Sequence, residues 1–331
     1  MILLDTDIKE DSWSALVKRS STANWFQTVA SYRFYSSLPE MMTPFAVGVS
    51  RSGGSMAGIA VGYITKERNH LKQCFTRRAI IIGGPMLSDD ITDAELSELL
   101  LTLRRKLSHH AIYIETRNFN DYSRWRKVFE QCGFAYQPHL NFHIDTSSID
   151  IVEQNLGKSR KRDIRTSFRD GVTIIEQPTR EQLAVWYDIL KRLYTTKIHT
   201  PLFPLSFFER LFESDDGRLL LVELNGEIIG GTACVALEGK CLYEWFVCGR
   251  DGEWKSVFPS SVATYAGICY AARNGMPRFD MMGAGTPDEA YGVRDFKSRF
   301  GGKEVEHGRF LYVAQPLLYK IGKLGVKWLK R

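Results

Sequence analysis

The same order of predicted elements occurs twice along this 331-residue chain, and this repetition constrains the fold more than any other feature. In each half, apolar strand-like segments separated by turn residues come first. A long helix, a short strand, a last helix, a glycine and a final strand follow. An internal repeat of this kind predicts two copies of one mixed α/β domain, split near residue 146.

The turns between the strands are the first sign of the repeat. In the first half, two apolar segments flank the pair Gly53-Gly54. In the second half, Asn225-Gly226 and Glu238-Gly239 separate three such segments. Gly-Gly and Asn-Gly pairs between apolar segments favour tight hairpin turns, so each half is predicted to contain an antiparallel meander.

The long helices are the second sign. The segment "DAELSELLLTLRRKLSHH" places leucines on one helical face, at Leu96, Leu99, Leu100, Leu103 and Leu107. In the second half, "PSSVATYAGICYAARNG" has Pro259 early and Gly275 at its end, which is typical of the first turn and the C-terminal stop of a helix.

The last helices can be overlaid without gaps, and the overlay isolates one difference. "RKVFEQCGF" (126–134) lies over "RDFKSRFGG" (294–302), so that Phe129 meets Lys297. An inward position on a core helix favours an apolar residue, and an unpaired lysine there is costly to bury. Two interpretations stay open: the second helix is rotated so that Lys297 faces water, or Lys297 faces a cleft and meets an anionic or polar ligand.

Composition narrows the class of protein. A hydrophobic content of 44% suits a folded globular chain, and a net charge of +6 is only a mild excess. The six cysteines include no CxxC pair, so we predict reduced, packed thiols and no metal site. The acidic start of the chain does not resemble a signal peptide, and no segment reaches the roughly 20 apolar residues that span a bilayer. We therefore predict a cytoplasmic protein, or one at the inner membrane surface.

The segment "GKSRKRDIRTSFRDG" is the strongest basic cluster. Ile164 and Phe168 predict a narrow buried stripe on one face of a helix. The cations predict a ridge for phosphate groups, either of tRNA or of a nucleotide-sugar diphosphate. The alternative is a solvated helix that joins the two domains. The basic residues are Lys158, Arg160, Lys161, Arg162, Arg165 and Arg169, of which we predict Arg160, Arg162 and Arg165 to bind substrate.

Taken in order, these features resemble the acyltransferase fold of the GNAT superfamily. Two such domains, the second ending in "FKSRFGG", resemble the FemA/FemB/FemX family. The segments that carry the resemblance are "IIGGPML" (81–87), "GKSRKRDIRTSFRDGV" (157–172), "ELNGEIIGGTACV" (223–235), "RFDMMGA" (278–284) and "VRDFKSRFGG" (293–302). The resemblance implies a degenerate N-terminal GNAT-like domain at 1–145 and an active one at 146–315, and a basic helix is predicted at 316–331. Each domain would be a mostly antiparallel mixed sheet flanked by helices.

Members of that family transfer amino acids from aminoacyl-tRNA to peptidoglycan precursors. The resemblance therefore implies an aminoacyl-tRNA donor, no separate cofactor, and a nucleotide- or lipid-linked cell-envelope precursor as acceptor. It also links Lys297 to activity, either in holding the acyl donor or in stabilising the developing oxyanion. A loop near Lys197 borders the acceptor site in compact members, which makes Lys197 a candidate for substrate binding.

Amide formation needs a proton acceptor as well as a polarised carbonyl. Glu244, in "CLYEWFVCG", is predicted near the sheet centre, where burial would raise its pKa, and it is our candidate base. The alternative is a structural ion pair. Tyr243, Arg294 and Arg299 are further candidates for substrate binding.

Neither half contains the spaced glycines of a coenzyme A pyrophosphate loop. In the second half, "GRDGEWKSVFPSS" has Arg250 and Gly252, but Pro259 removes one N–H donor. Two other functions stay open. One is an acyl-CoA-dependent N-acyltransferase for an amino sugar or polysaccharide precursor, and the other is a non-catalytic module that binds RNA or membrane.

The C-terminal segment "PLLYKIGKLGVKWLKR" predicts a basic amphipathic helix. Its apolar stripe is Leu317, Ile321, Leu324 and Trp328, and its cations are Lys320, Lys323, Lys327 and Lys330. Such a helix fits an anionic membrane surface. It equally fits a helix docked on the protein with a basic outer face.

Overall fold

The computed structural model describes residues 3–4, 8–66 and 76–329, with side chains for 8–66 and 76–323. Cys74 and Lys330 lie outside the described residues, as do the side chains of Leu324, Lys327 and Trp328. The chain divides into two compact units. The first unit holds residues 1–139 and 306–331, and the second holds 140–305.

The elements of the first unit begin with a short strand and two helices. In chain order they are β1 (Leu3–Leu4), α1 (Glu10–Arg19), a 3-10 turn (Trp25–Gln27), α2 (Val29–Ser36), β2 (Met42–Ser50), β3 (Met56–Thr65), β4 (Arg78–Gly83), β5 (Met86–Leu87), α3 (Asp93–Leu107), β6 (Tyr113–Asn118), a 3-10 turn (Ser123–Trp125), α4 (Arg126–Gln131) and β7 (Ala135–Gln137).

The second unit follows, and the chain then returns to the first. The elements are β8 (Leu140–Asp145), α5 (Ile149–Asn155), α6 (Lys158–Arg169), β9 (Val172–Ile175), α7 (Arg180–Leu193), a π-helical turn (Tyr194–Ile198), α8 (Leu205–Phe212), β10 (Gly217–Leu224), β11 (Glu227–Leu237), β12 (Cys241–Gly249), α9 (Pro259–Arg273), β13 (Arg278–Asp280), α10 (Gly292–Ser298), β14 (Lys303–Glu306), β15 (Arg309–Val313) and α11 (Pro316–Leu329).

The first unit is built on a mixed sheet in the order β1-β2-β3-β4-β6-β15-β7, with β5 paired to β3. β2 and β3 form the predicted antiparallel hairpin. β4 and β6 are parallel neighbours. In the chain, α3 lies between β5 and β6. A capping box between Thr92 and Glu95 starts α3. All five leucines predicted on one face of this helix are fully buried in the core.

The last strand of the chain completes the first unit. β15 pairs antiparallel with both β6 and β7. From it, Phe310 stacks on Phe129 of α4, with ring centroids 4.0 Å apart. The predicted range 146–315 placed this strand in the second domain. An apolar strand pattern reveals that a strand is half-buried, but not which sheet it joins.

The second unit contains a mixed sheet in the order β14-β8-β13-β12-β11-β10-β9. The predicted meander is confirmed, because β10, β11 and β12 are consecutive antiparallel neighbours. Asn225 and Gly226 both have positive φ, as the hairpin turn requires. β8 (Leu140–Asp145) pairs with β13, so a strand from before residue 146 belongs to this unit.

Candidate active site

The site lies in the second unit, where β12 and β13 stop pairing. Their parallel register covers Cys241–Tyr243 and Arg278–Asp280, and β13 ends there. On the other side of β12, the register shifts so that Cys234 faces Glu244 while Ala233 faces Phe246. The extra residue in this bulge is Trp245. Bulges bend a strand and redirect its side chains, and this one directly follows Glu244.

Glu244 is a buried carboxylate on β12, only 3% exposed. The Thr232 hydroxyl of β11 lies 3.2 Å from its Oε1, within hydrogen-bonding distance. Burial raises the pKa of Glu244, although the positive charge of Lys297 and the hydroxyls of Thr264 and Thr232 oppose that rise. No ion pair joins Glu244 to a cation within the described residues. The environment therefore favours a carboxyl group that takes up a proton more readily than an exposed glutamate.

Lys297 is also buried, with 8% of the residue exposed, so the interpretation in which it faces water is wrong. It projects from α10, and its Nζ donates to the carbonyl oxygen of Met281 and to that of Gly283, the latter at 2.7 Å. Burial lowers the pKa of this ammonium, and the charges of Glu244 and Asp280 oppose the lowering. An ammonium has three N–H donors, so the two carbonyls leave one for a further acceptor.

The loop after β13 is shaped to present these carbonyls. Met282 has φ +54° and Gly283 has φ +105°, so both lie in the left-handed region. A non-glycine residue such as Met282 pays about 1–2 kcal/mol for that conformation. Backbone strain of this kind persists only where surrounding contacts hold it, and it is concentrated at functional sites.

A buried polar network holds the strained loop. Asp280 accepts hydrogen bonds at 2.8 Å from the backbone N–H of Met282 and from Asn141 Nδ2. The Asn141 amide oxygen accepts in turn from the N–H of Gly283, also at 2.8 Å. Burial raises the pKa of Asp280 more than any single partner lowers it. His143, 3.0 Å away, together with Arg278 and Asn141, nevertheless keeps that pKa below its ordinary value.

Asn141 and His143 were missed by the sequence analysis. They stand two residues apart on β8, which places both side chains on one face of the strand. The strand reads Leu-Asn-Phe-His-Ile-Asp, and this strict alternation of apolar and polar residues is the signal that could have identified them.

Arg294, on the same helix as Lys297, also holds this loop. Its guanidinium donates to the carbonyl oxygens of Ala284, at 3.0 Å, and of Thr286. Arg294 was predicted to bind substrate, and the structure gives it loop carbonyls as partners. Its overlay partner in the first unit, Arg126, instead lies over the ring of Tyr136, 3.5 Å from the centroid.

The predicted basic ridge lines a surface cleft of about 420 Å³. Its lining residues, all on α6, are Lys158, Lys161, Arg162, Arg165, Thr166 and Arg169. Acidic neighbours offset part of the charge: Lys161 pairs with Glu153 at 3.0 Å, and Arg169 pairs with Asp170 at 3.0 Å. The cleft thus presents a concentration of cations along one helix, as phosphate groups require.

Arg160 differs from the other cations of α6 because it points inward. It is 5% exposed, and its guanidinium donates to Ser261 Oγ at the start of α9 and to the carbonyl oxygen of Phe296. It also lies 4.6 Å from the ring centroids of Phe296 and Phe300. Arg160 therefore joins α6 to the helix that carries Lys297.

The buried stripe of α6 is Arg160, Ile164 and Ser167. Phe168, which was predicted to belong to it, is 38% exposed, so that part of the prediction is wrong. Positions i, i+4 and i+7 lie on one helical face, so Arg160 shares the buried face of Ile164 and Ser167.

The remaining predicted residues fall into different environments. Tyr243 alternates with Glu244 on β12 and is fully buried, and burial raises its pKa. Lys197 is exposed on the π-helical turn, which ends at His199 with φ +55°. Arg299 is exposed, and its carbonyl oxygen accepts from the N–H of Gly157 at 3.1 Å. The structure brings Glu244, Lys297 and Arg294 to one region of the unit. Tyr194, on the same turn as Lys197, lies near Phe246 of β12, with ring centroids 6.4 Å apart.

The start of α9 is where a GNAT fold would hold a pyrophosphate, and here it carries an acid. The N–H and hydroxyl of Ser260 both donate to the carboxylate of Asp251, the N–H at 3.2 Å. Pro259 occupies the first turn and has no N–H. An aspartate at a helix N-terminus occupies the anion position and repels a phosphate. These residues therefore do not fit a coenzyme A pyrophosphate.

Comparison with known proteins gives a family match within the second unit. Residues 157–298 match the model of a family described as an acetyltransferase (GNAT) domain. This part of the chain is similar to a GNAT domain. This range includes α6, Glu244 and Lys297, and the predicted acyltransferase assignment is confirmed. No curated protein matches the sequence.

Solved structures extend the likeness to the whole chain. FemX matches with a TM-score of 0.73 and 15% identity, over 96% of this chain and 98% of FemX. The C-terminal domain of a putative lysylphosphatidylglycerol synthetase from Agrobacterium fabrum matches at 0.58 and 10%, over 94% and 95%. A tandem GNAT protein from the clavulanic acid biosynthesis pathway matches at 0.54 and 11%, over 94% and 96%. The predicted fold, two tandem GNAT-like domains, is confirmed.

Proposed function

We propose that the protein forms an amide bond by transferring an amino acid from aminoacyl-tRNA to an amine of a cell-envelope precursor of the peptidoglycan type. The observation that carries the proposal is that a buried carboxylate and a buried ammonium influence each other's pKa inside a GNAT-like domain. The ammonium has one N–H donor beyond the two that the loop carbonyls accept. The two groups provide the proton acceptor and the oxyanion donor that the reaction needs.

In the proposed reaction the acceptor amine attacks the ester carbonyl of aminoacyl-tRNA. A C–N bond forms, the carbonyl oxygen becomes an oxyanion, and the C–O bond to the terminal ribose then breaks. Glu244 takes the proton from the attacking nitrogen, and that proton ends on the ribose oxygen. Lys297 donates its remaining N–H to the oxyanion. A donor fixed in a buried site is worth more to a transition state than one in water.

Two features support RNA as the donor. The cleft along α6 is lined by a row of cations. Such a row can neutralise several phosphates of an RNA backbone. The start of α9 carries Asp251 where an acyl-CoA enzyme needs free N–H groups for pyrophosphate. Arg165 is exposed at the cleft and is our principal candidate for a phosphate contact.

A second candidate is an acyl-CoA-dependent N-acyltransferase that acts on an amino sugar or polysaccharide precursor. The name of the matched domain family, acetyltransferase, favours it. In that case the basic cleft would bind a phosphorylated acceptor, and the donor would be held without the usual helix N-terminus.

The test titrates the protein separately with charged tRNA and acetyl-CoA, and then measures single-turnover transfer to a nucleotide-linked peptidoglycan precursor. We expect salt-sensitive binding of tRNA and none of acetyl-CoA. Arg165→Glu should weaken tRNA binding about tenfold, and loss of one phosphate contact should reduce the salt slope by about 0.7–0.9. Arg105→Glu, the same charge change on the exposed face of α3, is the matched control.

Lys297→Met separates binding from chemistry. We expect tRNA affinity to stay within about twofold, while transfer falls by roughly 10²–10³, as for loss of an oxyanion donor. Binding of acetyl-CoA in place of tRNA would favour the second candidate. Binding of tRNA without transfer to any amine would indicate the non-catalytic module.

A further inference from the structure

The C-terminal helix α11 carries an apolar stripe that no described residue covers. Leu317 is 78% exposed and Ile321 is 53% exposed. They are four residues apart, so they lie on one face of the helix. Exposed large apolar side chains are common singly, but a stripe of them on one helix indicates a surface that another phase or molecule covers.

A different face of α11 attaches it to the first unit. Tyr319 packs edge-on against Tyr113 of β6, with ring centroids 5.5 Å apart. Leu318 and Gly322 are half-buried on the same side. The prediction of a helix docked on the protein is therefore correct for this face. Its docking leaves the apolar stripe in water.

The lysines occupy a third face. Lys320 and Lys323 are both exposed. At 100° per residue, Lys320 lies about 60° from Leu317 and borders the stripe, while Lys323 lies about 60° further round. The Lys323 Nζ is 5.2 Å from the ring centroid of Tyr319. The segment from His307 to Arg331 contains no aspartate or glutamate. An uncovered apolar stripe bordered by lysines, without acidic residues, is the arrangement of a helix that lies in a membrane interface.

We propose that α11 docks the protein on an anionic phospholipid surface. Leu317 and Ile321 enter the boundary between headgroups and acyl chains, while Lys320 and Lys323 meet the lipid phosphates. Charge favours lipid over a second copy of the chain, since two copies packed through this helix would bring their lysines together. No described helix is long and apolar enough to cross a membrane. The proposal concerns the first unit alone and does not depend on the acyl-transfer reaction.

The test is cosedimentation of the full-length protein with vesicles of phosphatidylcholine alone, or mixed with phosphatidylglycerol, at low and high salt. We expect binding to the anionic vesicles that weakens as salt rises. Lys320→Gln with Lys323→Gln should weaken it about 30-fold, because each lysine near an anionic surface contributes about fivefold. Leu317→Gln with Ile321→Gln should weaken it about tenfold or more. Leu101→Gln, which replaces an apolar residue 48% exposed on α3, should change nothing.

Several outcomes would overturn the proposal. One is absence of binding to anionic vesicles at low salt. Another is equal binding to both vesicle types that the lysine substitutions do not alter. A third is a concentration-dependent dimer that Leu317→Gln with Ile321→Gln abolishes, which would make a second copy the partner of the stripe. Since all four residues are exposed, melting temperatures close to that of the unmodified protein are expected and confirm that each variant is folded.

Discussion

Two overlaid helix positions, Phe129 in the first unit and Lys297 in the second, are buried by different means. Phe129 is fully buried, stacked on Phe310 and edge-on to Phe134 at 6.1 Å. Lys297 is held by carbonyl oxygens of a strained loop. One position is supported by dispersion and apolar burial. The other needs a network of polar groups to offset the cost of a buried charge.

The difference shows that the second unit loses folding stability at the Lys297 position. Burying an ammonium costs free energy even when carbonyls receive it, and the turn at Met282 adds strain. An aromatic residue at the same position in the duplicated unit shows that the helix does not need the charge in order to pack. A lysine kept at such a cost is best explained by chemistry, which is why we assign it to the reaction.

The largest effect is expected for Phe129→Lys, which moves the second unit's residue into the first. In the first unit the neighbours of residue 129 are the aromatic rings of Phe134 and Phe310. The ammonium would therefore be buried without carbonyl partners. Loss of a buried phenylalanine alone costs about 3–5 kcal/mol, and an unpaired buried charge adds to it. We expect the first unit to be unfolded at ambient temperature, as measured by circular dichroism and by hydrogen exchange of α3 and α4.

Phe129→Met is the matched control and should cost roughly 1.5 kcal/mol, because it keeps an apolar side chain of similar length. A folded Phe129→Lys protein with a melting temperature near that of Phe129→Met would contradict the comparison. It would mean that the helix rotates to carry the lysine into water.

Much of the fold could be predicted from the sequence, because its local signals are strong. The leucine face of α3 and the Asn225-Gly226 turn are both found where the pattern placed them. The exchange of terminal strands could not be predicted. β8 and β15 each join the sheet of the other half, and their side-chain alternation is equally compatible with either sheet.

Less of the candidate site could be predicted. Burial of Glu244 follows from its place in an apolar strand, and the overlay singled out Lys297. The loop that receives Lys297 could not be found, because Met282 has no sequence signature for a positive φ. The inward turn of Arg160 was obscured because it stands within a run of cations on α6. The four-residue spacing from Ile164 distinguishes Arg160 from the exposed cations of α6, but only once the buried face of the helix is known.

An intermediate effect is expected for Arg160→Met, which sharpens the comparison by testing what holds the helix of Lys297. Arg160 contacts the helix of Lys297 through polar groups, whereas aromatic rings contact Phe129 in the first unit. Its removal leaves the carbonyl of Phe296 without this donor in a buried site, which costs about 1–3 kcal/mol. The matched Arg165→Met, at an exposed position of the same helix, should change stability by no more than about 0.5 kcal/mol. Thermal melting compares the two.

The same pair of variants tests the predicted role of Arg160 in substrate binding. We expect Arg165→Met to weaken tRNA binding more than Arg160→Met does. The reverse order, with an unchanged melting temperature for Arg160→Met, would mean that the guanidinium leaves its internal partners to meet the substrate.

The smallest effect is expected for Glu244→Gln, measured as stability against pH. Burial raises the pKa of Glu244 from its ordinary value of 4.5, so the folded state favours the protonated carboxyl. The stability that this group contributes is present below that ordinary value and is lost as the pH rises through the raised pKa. Glutamine stays neutral throughout. Glu244→Gln should therefore change the melting temperature little in acid and raise it increasingly as the pH rises through the raised pKa of Glu244.

Lys297 limits the size of that gain, since the carboxylate of Glu244 opposes the lowering of the lysine's pKa and the substitution removes this attraction. Glu98→Gln, at an exposed position of α3, should show no such growth with pH. A gain in melting temperature that is larger in acid than at high pH would mean that the fold stabilises the ionised carboxylate. Glu244 would then be half of a structural ion pair, and the second unit would bury its charges for packing, as the first unit buries its rings.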